Sequence, residues 1–249
     1  MARVTLIRHA LSAWNVEGRW QGQADPPLSP EGRAQASWAA SMMGPVDLVI
    51  TSDLARARQT GELLAPGTTH RIEPLLREFD VGHWSGRTRA EIMQEWPDEL
   101  AAFDAGQLSR PPGGESRADF DARVLAAASR VATICASEGR PQHPSRPSFD
   151  GDPVRAVVVS HGGVVRALAR LLGRADHHVE HLCGYRARAQ DDTLALEEAV
   201  DLLDGAPDPA DSRSGRAPGR DGNGGRFPGR DGNGSRFPGR DGDPDPNRL

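Results

Sequence analysis

The sequence RVTLIRHA, residues 3–10, is a run of apolar and β-branched residues that ends at an arginine and a histidine. Such a run predicts a short buried strand. The pattern recurs in VRAVVVSHGG, residues 154–163, where a second run stops at His161. Helical patterns separate the strands and predict an α/β three-layer sandwich, with a mostly parallel central sheet and helices on both faces. Because ligands bind at the carboxyl ends of parallel strands, we expect His9 and His161 to converge in one cleft.

The remaining segments fit this architecture. A further strand is predicted at 46–53 and an extended segment at 71–79, and helices are predicted at 28–43 (Ser29 as N-cap, Pro30 in the first turn), 54–65, 88–106 (broken at Pro97), 116–139 and 162–173. Residues 139–153 read as a Pro-rich surface loop, and residues 182–204 are assigned no element. We place a single domain at 1–204. Three ten-residue Gly/Pro/Arg/Asp repeats follow and predict a disordered C-terminal tail at 205–249.

Composition excludes several functional classes. The net charge is −5, so the global basic field of a nucleic-acid-binding protein is absent. All 30 cationic side chains are arginines, which excludes Walker-type phosphate loops and Schiff-base chemistry, since both need lysine. Two cysteines, Cys135 and Cys183, do not make a disulfide framework. We expect a cytoplasmic protein without a signal peptide, a membrane span or a nucleic-acid partner.

The strand ends carry groups suited to a phosphate. Guanidinium groups bind phosphate bidentately, and Arg8 offers one at the first strand end. The segment TSDLARARQT offers two more, Arg56 and Arg58, near a helix N-terminus that itself favours anions. A histidine among arginines has a lowered pKa and stays a neutral nucleophile, so His9 could attack phosphorus. Glu78 could protonate the leaving group.

These motifs resemble those of the histidine phosphatase superfamily, the phosphoglycerate-mutase-like family. The stretches LIRHALSAWN, GRWQGQADPPLSPEGRAQA, SDLARARQTGELL, LREFDVGHWSGRT, PPGGES and VVVSHGGVVRAL are similar to the family's motifs in the same order, over about residues 1–175. The resemblance implies a phosphoryl-binding group of Arg8, Arg58, His161 and Asn15, with His9 as nucleophile, Glu78 as proton donor, and Gln21, Gly22, Gly162 and residues 114–116 around the substrate. It implies no metal and no other cofactor. Ala10 stands where the family usually has a glycine whose carbonyl orients the histidine.

The expected function is a phosphomonoester phosphatase that acts on a small phosphorylated metabolite through a phosphohistidine. One alternative is phosphoglycerate-mutase-type transfer, although the segments on either side of Glu78 are short, which favours hydrolysis. A second alternative is non-catalytic binding of a phosphorylated ligand. His177 and His181 have the i, i+4 spacing of a zinc pair, but no third ligand is evident, so we expect no metal there. The natural substrate and the oligomeric state stay open, a homodimer included.

Overall fold

The structure is a computed structural model that describes residues 1–138, 153–174 and 179–206. The predicted tail from residue 207 onward lies outside the described residues, as does all but the last residue of the predicted loop at 139–153. The structure therefore describes residues 1–204, the predicted domain, except for two internal gaps.

Six strands and seven helices make up the described chain. In order they are β1 (Ala2–Arg8), α1 (Ala13–Val16), α2 (Pro30–Met42), β2 (Leu48–Thr51), α3 (Ala55–Leu64), β3 (Thr69–Ile72), α4 (Arg89–Glu95), α5 (Pro97–Asp104), α6 (Arg117–Ser137), β4 (Val154–Ser160), α7 (Gly162–Leu171), β5 (Cys183–Gln190) and β6 (Thr193–Asp201). The sheet order is β3-β2-β4-β1-β5-β6, with β1 to β4 mutually parallel where they pair and β5 and β6 antiparallel. The predicted α/β class is confirmed.

Alternating strand residues build a core on each face of the sheet. Leu6, Ile50 and Val158 pack in one cluster with the buried side chains of α6 and α7. Ile7 and Val49 point the other way and pack with the small side chains of α2 and α3. Because consecutive strand residues alternate between faces, strands that are apolar throughout need helices on both sides. The predicted three-layer arrangement follows from this alternation.

Local signals set most of the helix ends. The Ser29 hydroxyl accepts a hydrogen bond from the Gly32 amide at the start of α2, and Ser116 caps α6 in the same way. A break separates α4 from α5 immediately before Pro97. The extended prediction for 71–79 is only partly right: β3 ends at Ile72, and a short 3₁₀ turn, Pro74–Leu76, follows it. That turn begins the segment that carries Glu78.

Residues 182–204, which the sequence left unassigned, form the hairpin of β5 and β6 that extends the sheet beyond β1. The inward positions of β5 hold Tyr185, Ala187 and Ala189, while Arg186 and Arg188 are exposed. Alanine alternating with arginine gives only a weak strand signal, because alanine has a low β propensity. No helix in the described segments is long and apolar enough to cross a membrane.

Candidate active site

The two strand-end histidines lie side by side. β1 and β4 pair in parallel with Arg8 opposite Ser160, and the His9 amide donates a hydrogen bond to the Ser160 carbonyl at 2.9 Å. The next residue on each strand is therefore a histidine, and the ring centroids of His9 and His161 are 5.2 Å apart. Both side chains are buried. The predicted convergence of the two rings is confirmed.

Two contacts fix the tautomer of His9. Its Nδ1 lies 2.7 Å from the Ala10 carbonyl oxygen, which can only accept a hydrogen bond. Its Nε2 lies 3.2 Å from Nε of Arg56, which can only donate one. The ring therefore carries its proton on Nδ1 and a lone pair on Nε2. The Ala10 amide is itself held by the Thr60 hydroxyl at 3.1 Å, which ties this backbone to α3.

Arg56, and not Arg58, lies in the site. Arg56 is 1% exposed; besides His9 it binds the Ala24 carbonyl at 2.7 Å and the Gly22 carbonyl at 2.8 Å. Arg58 is exposed at the surface, so the predicted placement of Arg58 at the phosphate is wrong. The buried positions of α3 are 56, 57, 60, 61 and 64, one helical stripe that excludes 58. This periodicity was readable in the sequence and would have selected Arg56.

Arg8 is buried at the end of β1, where its Nη1 donates a hydrogen bond to the Val179 carbonyl at 2.9 Å. The Arg8 carbonyl accepts a hydrogen bond from the Leu182 amide at 3.1 Å. Gly162, the first residue of α7, lies against the Arg8 side chain: a Cβ built on Gly162 would stand 3.4 Å from Arg8 Cδ. The prediction that Arg8 and Gly162 lie at the cleft agrees with this placement.

The carboxylate of Glu78 lies against the first turn of α7. One carboxylate oxygen accepts the Gly163 amide at 3.0 Å and the other accepts its neighbour's amide, Phe79 N–H, at 2.8 Å. The side chain is 8% exposed. Arg77, the cation next to Glu78 in the chain, pairs with Asp53. The carboxyl is thus held by two backbone amides, and it is close enough to Arg56 for its charge to raise the pKa of that guanidinium.

Asn15, Gln21 and Gly22 lie on the connection that follows His9. The Ser12 hydroxyl is 2.8 Å from both the Asn15 and the Gln21 side-chain oxygens, so these two residues share one anchor. Gly22 has φ +49°, and a Cβ there would meet Val81 Cγ2 at 2.7 Å, so glycine is needed at this position. This places the predicted substrate-binding loop against Arg56.

Burial and cations keep both histidines neutral. The pKa of His9 is lowered well below its usual value, first by burial and then by Arg56, His161 and Arg8. Burial is likewise the largest cause of the lowered pKa of His161. The pKa of His9 is lowered, as predicted, but burial contributes more to this than the neighbouring arginines do. Within the described residues neither ring nitrogen of His161 has a hydrogen-bond partner.

A third imidazole was missed. His181 comes after α7, and its ring centroid is 6.0 Å from that of His9, where its charge contributes to lowering the pKa of His9. The sequence drew attention to His181 only as half of a zinc pair, and His177 lies outside the described residues. In the described segments, no group of three or more His, Cys, Asp or Glu side chains is arranged to hold a metal ion.

Comparison with known proteins gives the family. The sequence profile of the histidine phosphatase superfamily (branch 1) matches residues 4–188, well over half of the chain. The chain belongs to this superfamily. The family assignment agrees with the histidine pair at the ends of β1 and β4 and with the buried arginines beside it.

Relatives of this histidine phosphatase include named phosphatases. Glucosyl-3-phosphoglycerate phosphatase of Mycobacterium tuberculosis is 37% identical over 177 residues, which is 68% of this chain and 74% of the relative. The solved alpha-ribazole phosphatase of Shigella flexneri has a TM-score of 0.64 at 27% identity, covering 78% of this chain and 94% of that one. A mycobacterial glucosyl-3-phosphoglycerate phosphatase solved with VO3 has a TM-score of 0.63 at 32% identity, with 79% and 98% covered. This histidine phosphatase is therefore a phosphoric monoester hydrolase.

The lowered histidine pKa values predict a pH-dependent stability. Below about pH 6.5 the unfolded chain protonates these imidazoles while the folded chain does not, so the free energy of unfolding falls as the pH falls. Each ring contributes a slope of up to about 1.4 kcal/mol per pH unit. His161→Asn should therefore flatten the decline between pH 6 and pH 5 by up to about that amount, measured by urea unfolding. Above pH 7.5 the two slopes should agree, and equal slopes at low pH would contradict the assignment.

The placement of the two α3 arginines predicts unequal effects on activity. Arg56→Ala removes a buried guanidinium beside His9 and should lower kcat/KM by about 100-fold or more. Arg58→Ala, two residues along the same helix, should change it by less than about 2-fold, since an exposed side chain there makes little difference. Phosphate release from one ester is measured for both variants, with thermal unfolding to verify the fold. A larger loss in the Arg58 variant would reverse the assignment.

Proposed function

We propose that this histidine phosphatase hydrolyses a small phosphorylated metabolite without a metal, by passing the phosphoryl group to His9 and then to water. The observation that supports this most strongly is the fixed state of His9: a neutral ring with its lone pair on Nε2, facing the guanidinium of Arg56. A neutral imidazole with a free lone pair is a nucleophile, and an adjacent cation is the group that holds the phosphate oxygens.

The side chains proposed to bind the substrate are buried cations and a buried imidazole, whose burial costs free energy when no anion is bound. Arg8 and Arg56 are both nine-tenths or more buried, and Arg56 remains protonated at neutral pH because its pKa is lowered only to about 10. His161 offers a ring N–H to a phosphoryl oxygen. As the dianion arrives, Arg56 Nε turns from His9 to a phosphoryl oxygen, which frees the lone pair on Nε2 for attack.

The first half-reaction is in-line transfer. Nε2 of His9 forms a bond to phosphorus as the bond from phosphorus to the ester oxygen breaks, and the leaving oxygen takes a proton from Glu78. With Glu78 protonated, the two positive charges of Arg8 and Arg56 balance the dianion.

The second half-reaction restores the enzyme. The Glu78 carboxylate removes a proton from water, the water oxygen attacks phosphorus, and the bond from Nε2 to phosphorus breaks. His9 regains its lone pair and inorganic phosphate leaves. Throughout, the Ala10 carbonyl keeps the ring proton on Nδ1 and stabilises the charge that develops on the phosphorylated ring.

Two guanidinium groups supply the charge compensation that Mg²⁺ provides in other phosphoryl-transfer sites, so the proposed chemistry needs no metal.

A cytoplasmic location fits the free cysteines. Cys135 is buried with a pKa raised to about 11, and Cys183 also has a raised pKa, so both remain protonated thiols.

The metal-free mechanism is tested with EDTA. Phosphate release that is unaffected by EDTA supports the metal-free proposal, and loss of activity that Mg²⁺ restores contradicts it.

We infer an alkyl phosphomonoester as the substrate. The relatives described above are named glucosyl-3-phosphoglycerate phosphatase and alpha-ribazole phosphatase. The alkoxide of an organic metabolite is a poor leaving group, so an alkyl ester is the kind of substrate that needs a proton donor. Glucosyl-3-phosphoglycerate is the first ester to assay. A probable phosphoglycerate mutase of Salmonella choleraesuis is 35% identical over 134 residues, so 3-phosphoglycerate interconversion is the second assay. Binding without turnover of any ester would leave a ligand-binding role.

The covalent step predicts a trapped intermediate. Rapid acid-free quenching with denaturant during turnover of a ³²P-labelled ester should leave an acid-labile, alkali-stable label on the full-length enzyme. Peptide mapping should place this label on His9. His9→Ala should carry no label and lose at least about 1,000-fold in kcat, because the reaction loses its nucleophile. A label on any other residue contradicts the mechanism.

The acid role of Glu78 predicts a dependence on the leaving group. Glu78→Gln should lower kcat/KM for an alkyl phosphate by about 100-fold or more, since an alkoxide leaves poorly without a proton. It should lower kcat/KM for p-nitrophenyl phosphate by less than about 10-fold, because that anion leaves unaided. The parameter kcat/KM reports steps up to phosphoryl transfer, so the later base role does not enter. Equal losses for both esters would remove Glu78 from the acid role.

A further inference from the structure

Arg123, on α6, binds the backbone that carries Glu78. Its Nη1 donates to the carbonyl of Leu75 at 2.8 Å and to that of Arg77 at 2.6 Å. Its Nη2 donates to the carbonyl of Glu78 itself at 3.1 Å. The remaining carbonyl of this stretch, that of residue 76, accepts the Ser160 hydroxyl at 2.9 Å. Side chains thus bind all four carbonyls of the segment 75–78, whereas the 3₁₀ turn before it holds only the amides of residues 76 and 77.

The same guanidinium ties a second loop to this segment. Arg123 Nε lies 2.9 Å and Nη2 2.7 Å from the two carboxylate oxygens of Glu115, a bidentate pair. Both side chains are only 15–16% exposed. The Glu115 amide in turn donates to the Asp80 carbonyl at 2.9 Å. A Cβ built on Gly114 would stand 2.4 Å from that same carbonyl oxygen, so the two loops are in close backbone contact.

Arg123 thus joins the carbonyls of residues 75, 77 and 78 to the Glu115 carboxylate, and we call this set of contacts the Arg123 clamp. The clamp fixes the position of the Glu78 backbone. Residues 77–80 lie between the 3₁₀ turn Pro74–Leu76 and a second 3₁₀ turn, Gly82–Trp84, and they pair with no strand of the described residues. The Glu78 side chain reaches the Gly163 amide at the start of α7, so its carboxyl is placed by its own main chain and by α7. If the main chain shifts, the carboxyl leaves the line of the scissile bond. Misplacement by about 1 Å costs on the order of 100-fold in rate.

We propose that Arg123, paired with Glu115, is a positioning residue for the proton donor Glu78. The proposal rests on the proposed function of Glu78 as the acid. Arg123 touches no reacting atom and acts through the carbonyls at 75, 77 and 78. Its loss should therefore impair the step that needs the proton and spare the binding of phosphate at the strand ends.

The test is Arg123→Lys in the full-length enzyme. Lysine keeps one charge but cannot form five hydrogen bonds in a fork geometry. We expect kcat/KM for an alkyl phosphate to fall by about 10- to 100-fold, and that for p-nitrophenyl phosphate by less than about 3-fold. Inhibition by inorganic phosphate should be unchanged, since it reports the groups around His9. A general loss of stability would lower kcat/KM for both esters by the same factor.

Arg130→Lys is the matched control. Arg130 lies two turns further along α6 and pairs at 3.2 Å with Glu73, which precedes the segment 75–78 in the chain. Its ion pair is with a side chain, and it binds none of the carbonyls of residues 75–78. It should leave the ratio of the two esters unchanged. Glu115→Gln provides a second variant that keeps the carbonyl contacts of Arg123 and removes its counter-charge, and the ester ratio should shift in the same direction by a smaller factor. It decides the question if Arg123→Lys does not fold.

The outcomes separate this proposal from the function on which it rests. If Glu78→Gln shows the leaving-group dependence and neither Arg123→Lys nor Glu115→Gln does, the clamp only stabilises the fold and the positioning role is wrong. If Glu78→Gln shows no such dependence, the acid role itself fails. Equal losses for both esters in Arg123→Lys also overturn the positioning role, whatever their size.

Discussion

The hydrogen bond from the His9 amide to the Ser160 carbonyl closes the parallel pairing of β1 and β4, and the functional side chains are arranged around it. In-register parallel strands end at the same level, so the residue after each strand enters the same space. Here those residues are His9 and His161, and Arg8 precedes His9. A slip of one residue would turn Arg8 toward the opposite face and bury a charge among the apolar side chains of α2 and α3. The two apolar cores that fix the register therefore also fix the positions of the functional side chains.

The electrostatics of the site oppose folding and favour binding. Two guanidinium groups and two neutral imidazoles are packed where burial lowers the pKa of each histidine and of Arg56. Such an arrangement costs free energy unless hydrogen bonds compensate it, and Arg56 makes three, one to His9 and two to loop carbonyls. A dianion would relieve the like-charge repulsion directly. The same burial that destabilises imidazolium keeps His9 neutral, as its proposed role as nucleophile requires, so that role and stability place opposite demands on one ring.

The sequence predicted the layers, most helix bounds and the histidine pair because these depend on local apolar periodicity and on strand ends. It failed where the local signal was ambiguous. Two arginines two residues apart in α3 look equivalent until the buried stripe of that helix is drawn, and Arg56 lies on it while Arg58 does not. The hairpin of β5 and β6 was hidden by alanine at its inward positions. The sequence did not identify His181 as a member of the site, because its proximity to His9 is a tertiary contact between residues far apart in the chain and leaves no local pattern.

The site divides into two halves with different physical supports. The half proposed to bind the phosphoryl group comes from the ends of β1 and β4 and from the buried face of α3, whose positions the sheet and its two cores determine. The half proposed to face the leaving group comes from irregular segments around residues 75–82 and 112–116, held by side-chain contacts such as those of Arg123. Loops tolerate substitution and insertion far better than paired strands do. Relatives named for different phosphate esters can therefore share the first half while differing in the second, and substrate choice in this chain is to be sought in those loops.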